Sequence, residues 1–290
     1  LGPYFYWFYA LLLAVGKLNP IIWGYAGAAI AMVTTFLIYK LGDLTGSKKL
    51  AITAAIFWAT SYLANIYDRH LWALYWGPLI SIIVLICLYK IIKGKEKFVY
   101  PLAITIGLGI HADPSNLVFL ILAILVWFIY KLPIKKNIII WLAIILLSFT
   151  PLVLFDIRHN FANSKPVLEF IKSGRNNPSF DSTKFRANSL LFPQAFARSI
   201  YVFGDNQIAK QYSYCRNYVA EKFNSIPDIF IIITTIILIT FIARNYRKNN
   251  KNPGRHLIAL LLILYFSGIQ TYGTIFRADI FEHYITGLFA

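Results

Sequence analysis

Four clusters of ionisable side chains lie where apolar runs begin or end in this chain of 290 residues. Every cluster contains an acid and a histidine, and three also contain an arginine; the sequences are NIYDRHLW (65–72), GIHADPSN (109–116), FDIRHNF (155–161) and FRADIFEHY (276–284). Arginine binds phosphate oxygens through two parallel N–H groups, and a carboxylate can deprotonate or orient a hydroxyl. If the fold gathers these clusters at one surface, they predict a polar cavity for a substrate that carries a phosphate.

The clusters supply the candidate site residues. The candidates for substrate binding are Arg69, His70, His111, Arg158, His159, Glu282, His283 and Tyr284. Asp68 and Asp156 are weak candidates for a catalytic base, and His111 with Asp113 could contribute two ligands to a divalent cation. Two ligands at this spacing do not define a metal site, so the sequence predicts no definite cofactor. The alternative for each residue is that it caps a helix or extends to the membrane surface.

The elements that position these clusters must be membrane helices. Hydrophobic residues form 58% of the chain and charged residues 14%, whereas soluble domains carry about 25% charged residues. A soluble protein of this composition could not cover its surface with polar groups. The composition predicts an all-α, polytopic bundle, with residues 1–290 forming one transmembrane domain.

Eight apolar segments are candidates for complete membrane spans, for which about 20 residues are needed. They are 20–40, 50–66, 71–91, 98–112, 115–131, 137–155, 227–243 and 256–273, and a further span begins near residue 283. The segments 50–66 and 98–112 are short for this purpose, so tilted or partly re-entrant spans are alternatives there.

The basic residues predict the orientation of the bundle. Of the 28 Lys and Arg residues, 15 lie in the four short loops 40–49, 90–97, 131–136 and 244–255, which are therefore predicted to be cytoplasmic. This distribution also explains the net charge of +16 without a nucleic-acid partner. Residues 156–226 form a long outer loop with an interfacial helix at 188–203, and the aromatic-rich residues 1–19 form a juxtamembrane interfacial helix.

Several stretches, in their order, resemble one family of membrane enzymes. They are GPYFYWFYALLL (2–13), LIYKLGDLTGSKKLA (37–51), YDRHLW (67–72), PLVLFDIRHNF (151–161) and EHY (282–284). Together they resemble the GT-C class of membrane glycosyltransferases, and within it glycosyltransferase family 39, which includes protein O-mannosyltransferases and lipid A aminoarabinose transferases. The resemblance extends over nearly the whole chain, and it is carried by the order and topology of motifs that are individually loose.

The resemblance implies a GT-C-like fold in a bacterial plasma membrane, with an active site facing outside. It implies transfer of a hexosyl or pentosyl group from a polyprenyl-phosphate donor to a lipid, glycan or protein acceptor. The family's catalytic acid lies in an outer loop that would precede Leu1, so no residue of this chain inherits that role. We therefore expect the chain to be an internal fragment that lacks an N-terminal span and a C-terminal part.

Other function classes make different predictions. A transporter would carry ionisable residues near the bilayer midplane and broken helices in repeated halves, whereas the charges here lie at span ends. An O-antigen polymerase or ligase would share the long outer loop and polyprenyl-linked substrates, but its loop would need its own basic motif. A non-catalytic membrane scaffold is the remaining alternative. An acidic pair in an outer loop before GPYFYW would favour the glycosyltransferase.

Overall fold

The computed structural model describes residues 2–61, 64–65, 76–133, 136–176, 226–247 and 252–275, with a few positions between 182 and 196. The described residues form helices and turns, with no strand. The α-helices, in chain order, are α1 Pro3–Val15, α2 Ile21–Thr45, α3 Lys48–Thr60, α4 Trp76–Ile92, α5 Val99–Ala112, α6 Leu117–Ile129, α7 Lys136–Arg158, α8 Ser164–Asn176, α9 Ile226–Asn245 and α10 Pro253–Ile269. A π-helical stretch, Gln270–Ile275, continues α10.

Three of the described helices are long and apolar enough to cross a membrane, namely Ile21–Thr45, Ile139–Arg158 and Pro253–Thr274. They support the prediction of a helical membrane protein. Each of the eight predicted spans overlaps a helix, but several of these helices are shorter than a bilayer core; α5 has 14 residues and α6 has 13. At 1.5 Å per residue these two are only about 20 Å long, against a core of about 30 Å. The span predicted near residue 283 lies outside the described residues.

The buried core is centred on α4, α5, α6 and α10. Their inward side chains are almost entirely aliphatic or aromatic and include Ile82, Val84, Leu88, Leu102, Ile106, Phe119, Leu122 and Leu257, each no more than 1% exposed. By contrast, α2, α7 and α9 expose large apolar side chains such as Met32, Leu146 and Ile236. An apolar exterior around an apolar core is the pattern expected when lipid is the solvent.

Small residues let neighbouring helices approach closely. A Cβ atom at Gly42 of α2 would lie 2.7 Å from the Cα of Ala51 in α3, so the two helices touch near their connecting turn. A Cβ atom at Gly107 of α5 would lie 2.7 Å from the Cβ of Ser148 in α7. Close packing at small residues is a main source of helix association in membranes.

Three of the basic loops lie at the same end of the bundle. The side-chain amide of Asn252 donates to the carbonyl of Thr45, which joins the loops 40–49 and 244–255. The hydroxyl of Tyr130, at the edge of loop 131–136, lies 2.6 Å from Nδ1 of His256. These contacts agree with the prediction that the three loops share one side of the membrane.

Cysteine labelling tests which side that is. We expect Lys93→Cys and Lys131→Cys to react only with membrane-permeant maleimides in intact cells, because both belong to the loops predicted to be cytoplasmic. Lys172→Cys, in α8 beyond the other end of α7, should react with impermeant reagents. The parent protein would carry Cys87→Ala and Cys215→Ser to remove background. Labelling of Lys131→Cys and Lys172→Cys from the same side would show that the predicted topology is wrong.

Candidate functional site

The first polar feature is the tip of the hairpin formed by α5 and α6, which we call the hairpin tip (residues 109–116). One carboxylate oxygen of Asp113 accepts a hydrogen bond of 2.7 Å from the backbone N–H of Ser115 and so caps the short 3-10 helix Pro114–Asn116. The side-chain amide of Asn116 donates to the carbonyl of Gly109 at 2.8 Å. These local hydrogen bonds stabilise the turn and give both Asp113 and Asn116 a structural role.

His111 connects the hairpin tip to α1 and α7. Its imidazole is only 1% exposed, and Nε2 lies 2.5 Å from the carbonyl oxygen of Ser148. Because a carbonyl can only accept, Nε2 carries the proton in this contact. The carbonyl of His111 accepts from the N–H of Gly2 at 2.7 Å, and the ring packs edge-on against Tyr4 with centroids 4.5 Å apart. His111 therefore joins three helices and is not exposed to a substrate in this arrangement.

The cation that His111 and Asp113 could share finds no further support at the hairpin tip. In the part of the chain that the structure describes, no group of three or more His, Cys, Asp or Glu side chains could hold a metal ion. His111 uses Nε2 for Ser148, and Asp113 uses one oxygen for Ser115. The two residues have structural partners of their own.

The second polar feature is the turn after α7, where Asp156 holds the start of α8. Its carboxylate accepts hydrogen bonds from the N–H of Asn163 at 2.8 Å, from the N–H of Ser164 at 3.1 Å and from the Ser164 hydroxyl. The first N–H groups of a helix have no partner within the helix, and an acidic side chain there is favourable. We call this arrangement the Asp156 clamp; Asn160 and Phe161, with φ of 54° and 61°, form the left-handed turn that makes it possible.

The clamp leaves Arg158 without a role in the turn. Arg158 is the last residue of α7, its side chain is exposed, and it forms no hydrogen bond or ion pair with any described residue. His159, the next residue, is directed back onto the helix: its ring stacks on Phe155 at 4.0 Å, and Nδ1 lies 2.8 Å from the Phe155 carbonyl. Of the residues in FDIRHNF, Arg158 is thus the one whose charged group has no structural partner among the described residues.

The hairpin tip and Arg158 lie at different depths. His111 contacts Ser148, and Arg158 follows Ser148 by ten positions on α7. At 1.5 Å per residue, Arg158 is about 15 Å further along the helix, although Pro151 interrupts the hydrogen-bond ladder between them. The sequence analysis expected one polar cavity if the fold gathers these clusters, and the structure places this pair on two separate levels along α7.

A third polar feature was not predicted from the sequence. At the π-helical end of α10, the amide of Gln270 donates to the hydroxyl of Ser189 at 2.8 Å, and the amide of Asn188 donates to the hydroxyl of Thr274 at 3.1 Å. Asn188 and Ser189 are the first two residues of the segment predicted as an interfacial helix, and these bonds attach the two residues to the end of α10. The only sequence signal was a group of polar residues, Gln270, Thr271 and Thr274, within an apolar span.

An apolar groove opens between α2 and α3. It has a volume of about 540 Å³ and is lined mainly by apolar side chains, including Met32, Phe36, Ala55, Ile56 and Trp58. The two helices touch at Gly42 and Ala51, and the residues that line the groove lie on the parts of α2 before Gly42 and of α3 after Ala51. Its size is in the range of pockets that hold small organic molecules, and its walls suit a hydrocarbon chain.

The other candidate residues cannot be placed relative to these features. Asp68, Arg69 and His70, and also Glu282, His283 and Tyr284, lie outside the described residues. Comparison of the chain with protein-family models, with curated proteins and with solved structures finds no match.

Proposed function

We propose that the chain is the membrane domain of a glycosyltransferase that takes a sugar from a polyprenyl-phosphate donor. The acceptor is a lipid, glycan or protein on the extracytoplasmic side of a bacterial plasma membrane. In this proposal all eight apolar segments cross or enter the bilayer. The order of the motifs that resemble glycosyltransferase family 39 supports it, together with two features of the described structure.

The main support comes from Arg158. A polyprenyl phosphate keeps its tail in the bilayer and its phosphate at the interface, which is where a helix long enough to span delivers its last residue. Arg158 ends such a helix with an exposed guanidinium that has no partner among the described residues. As the sugar leaves, the phosphate gains negative charge, and a guanidinium directed at it would stabilise the transition state more than the bound donor.

The groove between α2 and α3 provides a place for the isoprenoid tail. Its lining offers apolar contact area without a charged side chain among the lining residues. A tail bound there would hold the donor in one orientation while the phosphate reaches the polar surface. The proposal thus assigns two parts of the donor to two features, the phosphate to Arg158 and the tail to the groove.

Within this proposal, Asp156 is a poor candidate for the catalytic base. The Asp156 carboxylate accepts three hydrogen bonds within its own turn, so it is better suited to holding α8 than to receiving an acceptor proton. Asp68 keeps its place as a candidate.

Photo-crosslinking tests the proposal. A polyprenyl phosphate with a diazirine on its isoprenoid chain should crosslink to α2 and α3 of the full chain in membranes, and excess unlabelled polyprenyl phosphate should reduce the yield. Arg158→Ala should lower the yield at low probe concentrations. Equal labelling by a diazirine fatty acid, with no competition by polyprenyl phosphate, would indicate ordinary lipid contact and would contradict the proposal.

Filling the groove should weaken donor binding selectively. Ala55→Trp places a large ring among the lining residues, and the loss of about 60 Å² of buried apolar contact would cost about 1.5 kcal/mol, or about tenfold in apparent affinity. We expect a raised KM for long-chain donors and little change for a donor with a short tail. Val33→Trp is the matched control, because Val33 is on α2, is 49% exposed and does not line the groove. An equal effect of both variants would exclude the groove as the tail site.

Transport is the second candidate function, and two observations favour it. Pro151 interrupts α7, and α10 passes into a π-helix at Gln270, so two of the three longest apolar helices have irregular backbone hydrogen bonding. Transporters use such breaks to line a substrate path. Solute uptake by proteoliposomes that is abolished by Pro151→Ala, without any turnover of polyprenyl-phosphate sugars, would favour this alternative.

A further inference from the structure

The helix α8 has two chemically different faces. Lys165, Glu169 and Lys172 follow one another at spacings of four and three residues, so they form a charged stripe along one side. Val167 is on the opposite side, and Leu168 lies at the border between that side and the stripe; these side chains are 57% and 55% exposed. An amphipathic helix with lysines on its polar face and an uncovered apolar face is the form that lies in a membrane–water interface.

The Asp156 clamp determines where this helix starts. α7 ends at Arg158 and α8 begins at Ser164, so five residues separate the end of a potential span from the amphipathic helix. The carboxylate of Asp156 accepts from the N–H of Asn163, just before α8, and from the N–H of Ser164, its first residue, which keeps the start of α8 close to the end of α7. If α7 crosses the bilayer, the exposed apolar face of α8 starts at the level where headgroups meet acyl chains.

We propose that α8 is an interfacial anchor that lies on the outer leaflet, with Val167 and Leu168 in the acyl region and Lys165 and Lys172 among anionic lipid headgroups. The occupant of the uncovered face is thus the bilayer itself. Charge complementarity supports this choice, because two lysines and one glutamate give the described stripe a net positive charge. The Asp156 clamp couples the anchor to α7, so the depth of Arg158 is set by the same turn. The position of α8 on the membrane surface does not depend on whether the protein transfers sugars.

Site-specific fluorescence quenching tests the anchor. The full chain, with its native cysteines replaced, would carry Val167→Cys or Glu169→Cys labelled with an environment-sensitive dye and would be reconstituted in phosphatidylcholine vesicles containing phosphatidylglycerol. The two positions are about 200° apart around the helix. We expect lipids with a nitroxide high on the acyl chain to quench the dye at 167 at least about threefold more than at 169. Aqueous iodide should show the opposite preference.

Three further variants test whether the two lysines and the Asp156 clamp cause the expected quenching pattern. Lys165→Gln combined with Lys172→Gln should abolish any increase in quenching at position 167 caused by phosphatidylglycerol. Asp156→Ala should reduce the difference in quenching between positions 167 and 169. Asp156→Asn keeps an acceptor oxygen and should preserve more of that difference. It also provides the test if Asp156→Ala does not fold. Equal iodide access at both positions would overturn the anchor. So would protection of position 167 from both quenchers, because the face would then be covered by protein.

Discussion

Replacing Arg158 by alanine should lower kcat for sugar transfer by about 10- to 150-fold. This range follows if the guanidinium donates a charge-assisted hydrogen bond worth about 1.5–3 kcal/mol to the departing phosphate. Arg158→Lys keeps the charge but loses the planar pair of donors, so its effect should be intermediate. The measurement is steady-state transfer from a polyprenyl-phosphate sugar by the full-length protein that contains this chain, in membranes with a defined expression level.

The matched control is Arg244→Ala. Arg244 is also an exposed arginine in the last turn of an apolar helix, α9, but it belongs to the loop predicted to be cytoplasmic. We expect Arg244→Ala to leave kcat unchanged, apart from any effect on membrane insertion. Normal kinetics for Arg158→Ala and Arg158→Lys, with normal insertion, would show that Arg158 is only an anchor to lipid headgroups.

Among the substitutions proposed here, Gly42→Val should cause the largest loss of folding stability. A Cβ atom there would lie 2.7 Å from the Cα of Ala51, so a backbone atom would have to move, and overpacking of this kind typically costs about 1–3 kcal/mol or more. α2 and α3 would have to separate at this close contact. We expect a lower melting temperature in detergent and a larger aggregated fraction in size-exclusion chromatography.

A second glycine of the same helix provides the control. A Cβ atom added at Gly24 of α2 would meet no neighbouring atom within 4 Å, so Gly24→Ala places its methyl group in open space. Alanine is favoured over glycine inside a helix by about 1 kcal/mol, and Gly24→Ala should be neutral or slightly stabilising. If Gly42→Val melted at the same temperature as Gly24→Ala, the close approach of α2 and α3 would be contradicted.

Helix positions were predictable because the apolar runs are long and their ends carry charge. The predicted segment 137–155 corresponds to α7, and the predicted segment 227–243 corresponds to α9. The lysines and arginines of loops 40–49 and 244–255 likewise predicted that the two loops lie on one side of the membrane. The hydrogen bond from Asn252 to Thr45 agrees with this prediction. Helix length was less predictable: the apolar residues continue past the end of α3, where Ser61 departs from the helix, so composition alone overestimates the span.

The role of each polar residue was much less predictable. The sequence does not distinguish Asp156, Arg158 and His159 as candidate site residues. Only the turn geometry shows that the Asp156 carboxylate accepts from the N–H groups of Asn163 and Ser164. His111 was a candidate for binding, and its burial against Ser148 depends on the contact between α5 and α7, which no local pattern encodes. The amphipathic pattern of α8 was visible in Lys165, Val167, Leu168 and Glu169, but the sequence analysis did not use it. The interfacial helix predicted at 188–203 lies mostly outside the described residues and stays a prediction.

Removal of sugar from a polyprenyl-phosphate donor by the full-length protein that contains this chain is the most direct test of the proposed function. Purified protein in lipid nanodiscs would be incubated with a panel of polyprenyl-phosphate hexoses and pentoses and a membrane extract as the source of acceptors, and released polyprenyl phosphate would be measured by mass spectrometry. We predict release from at least one donor, which falls at least about tenfold in Arg158→Ala and is unaffected in Arg244→Ala. Absence of release from every donor, by protein that is folded and that crosslinks no polyprenyl phosphate, would contradict the proposed function.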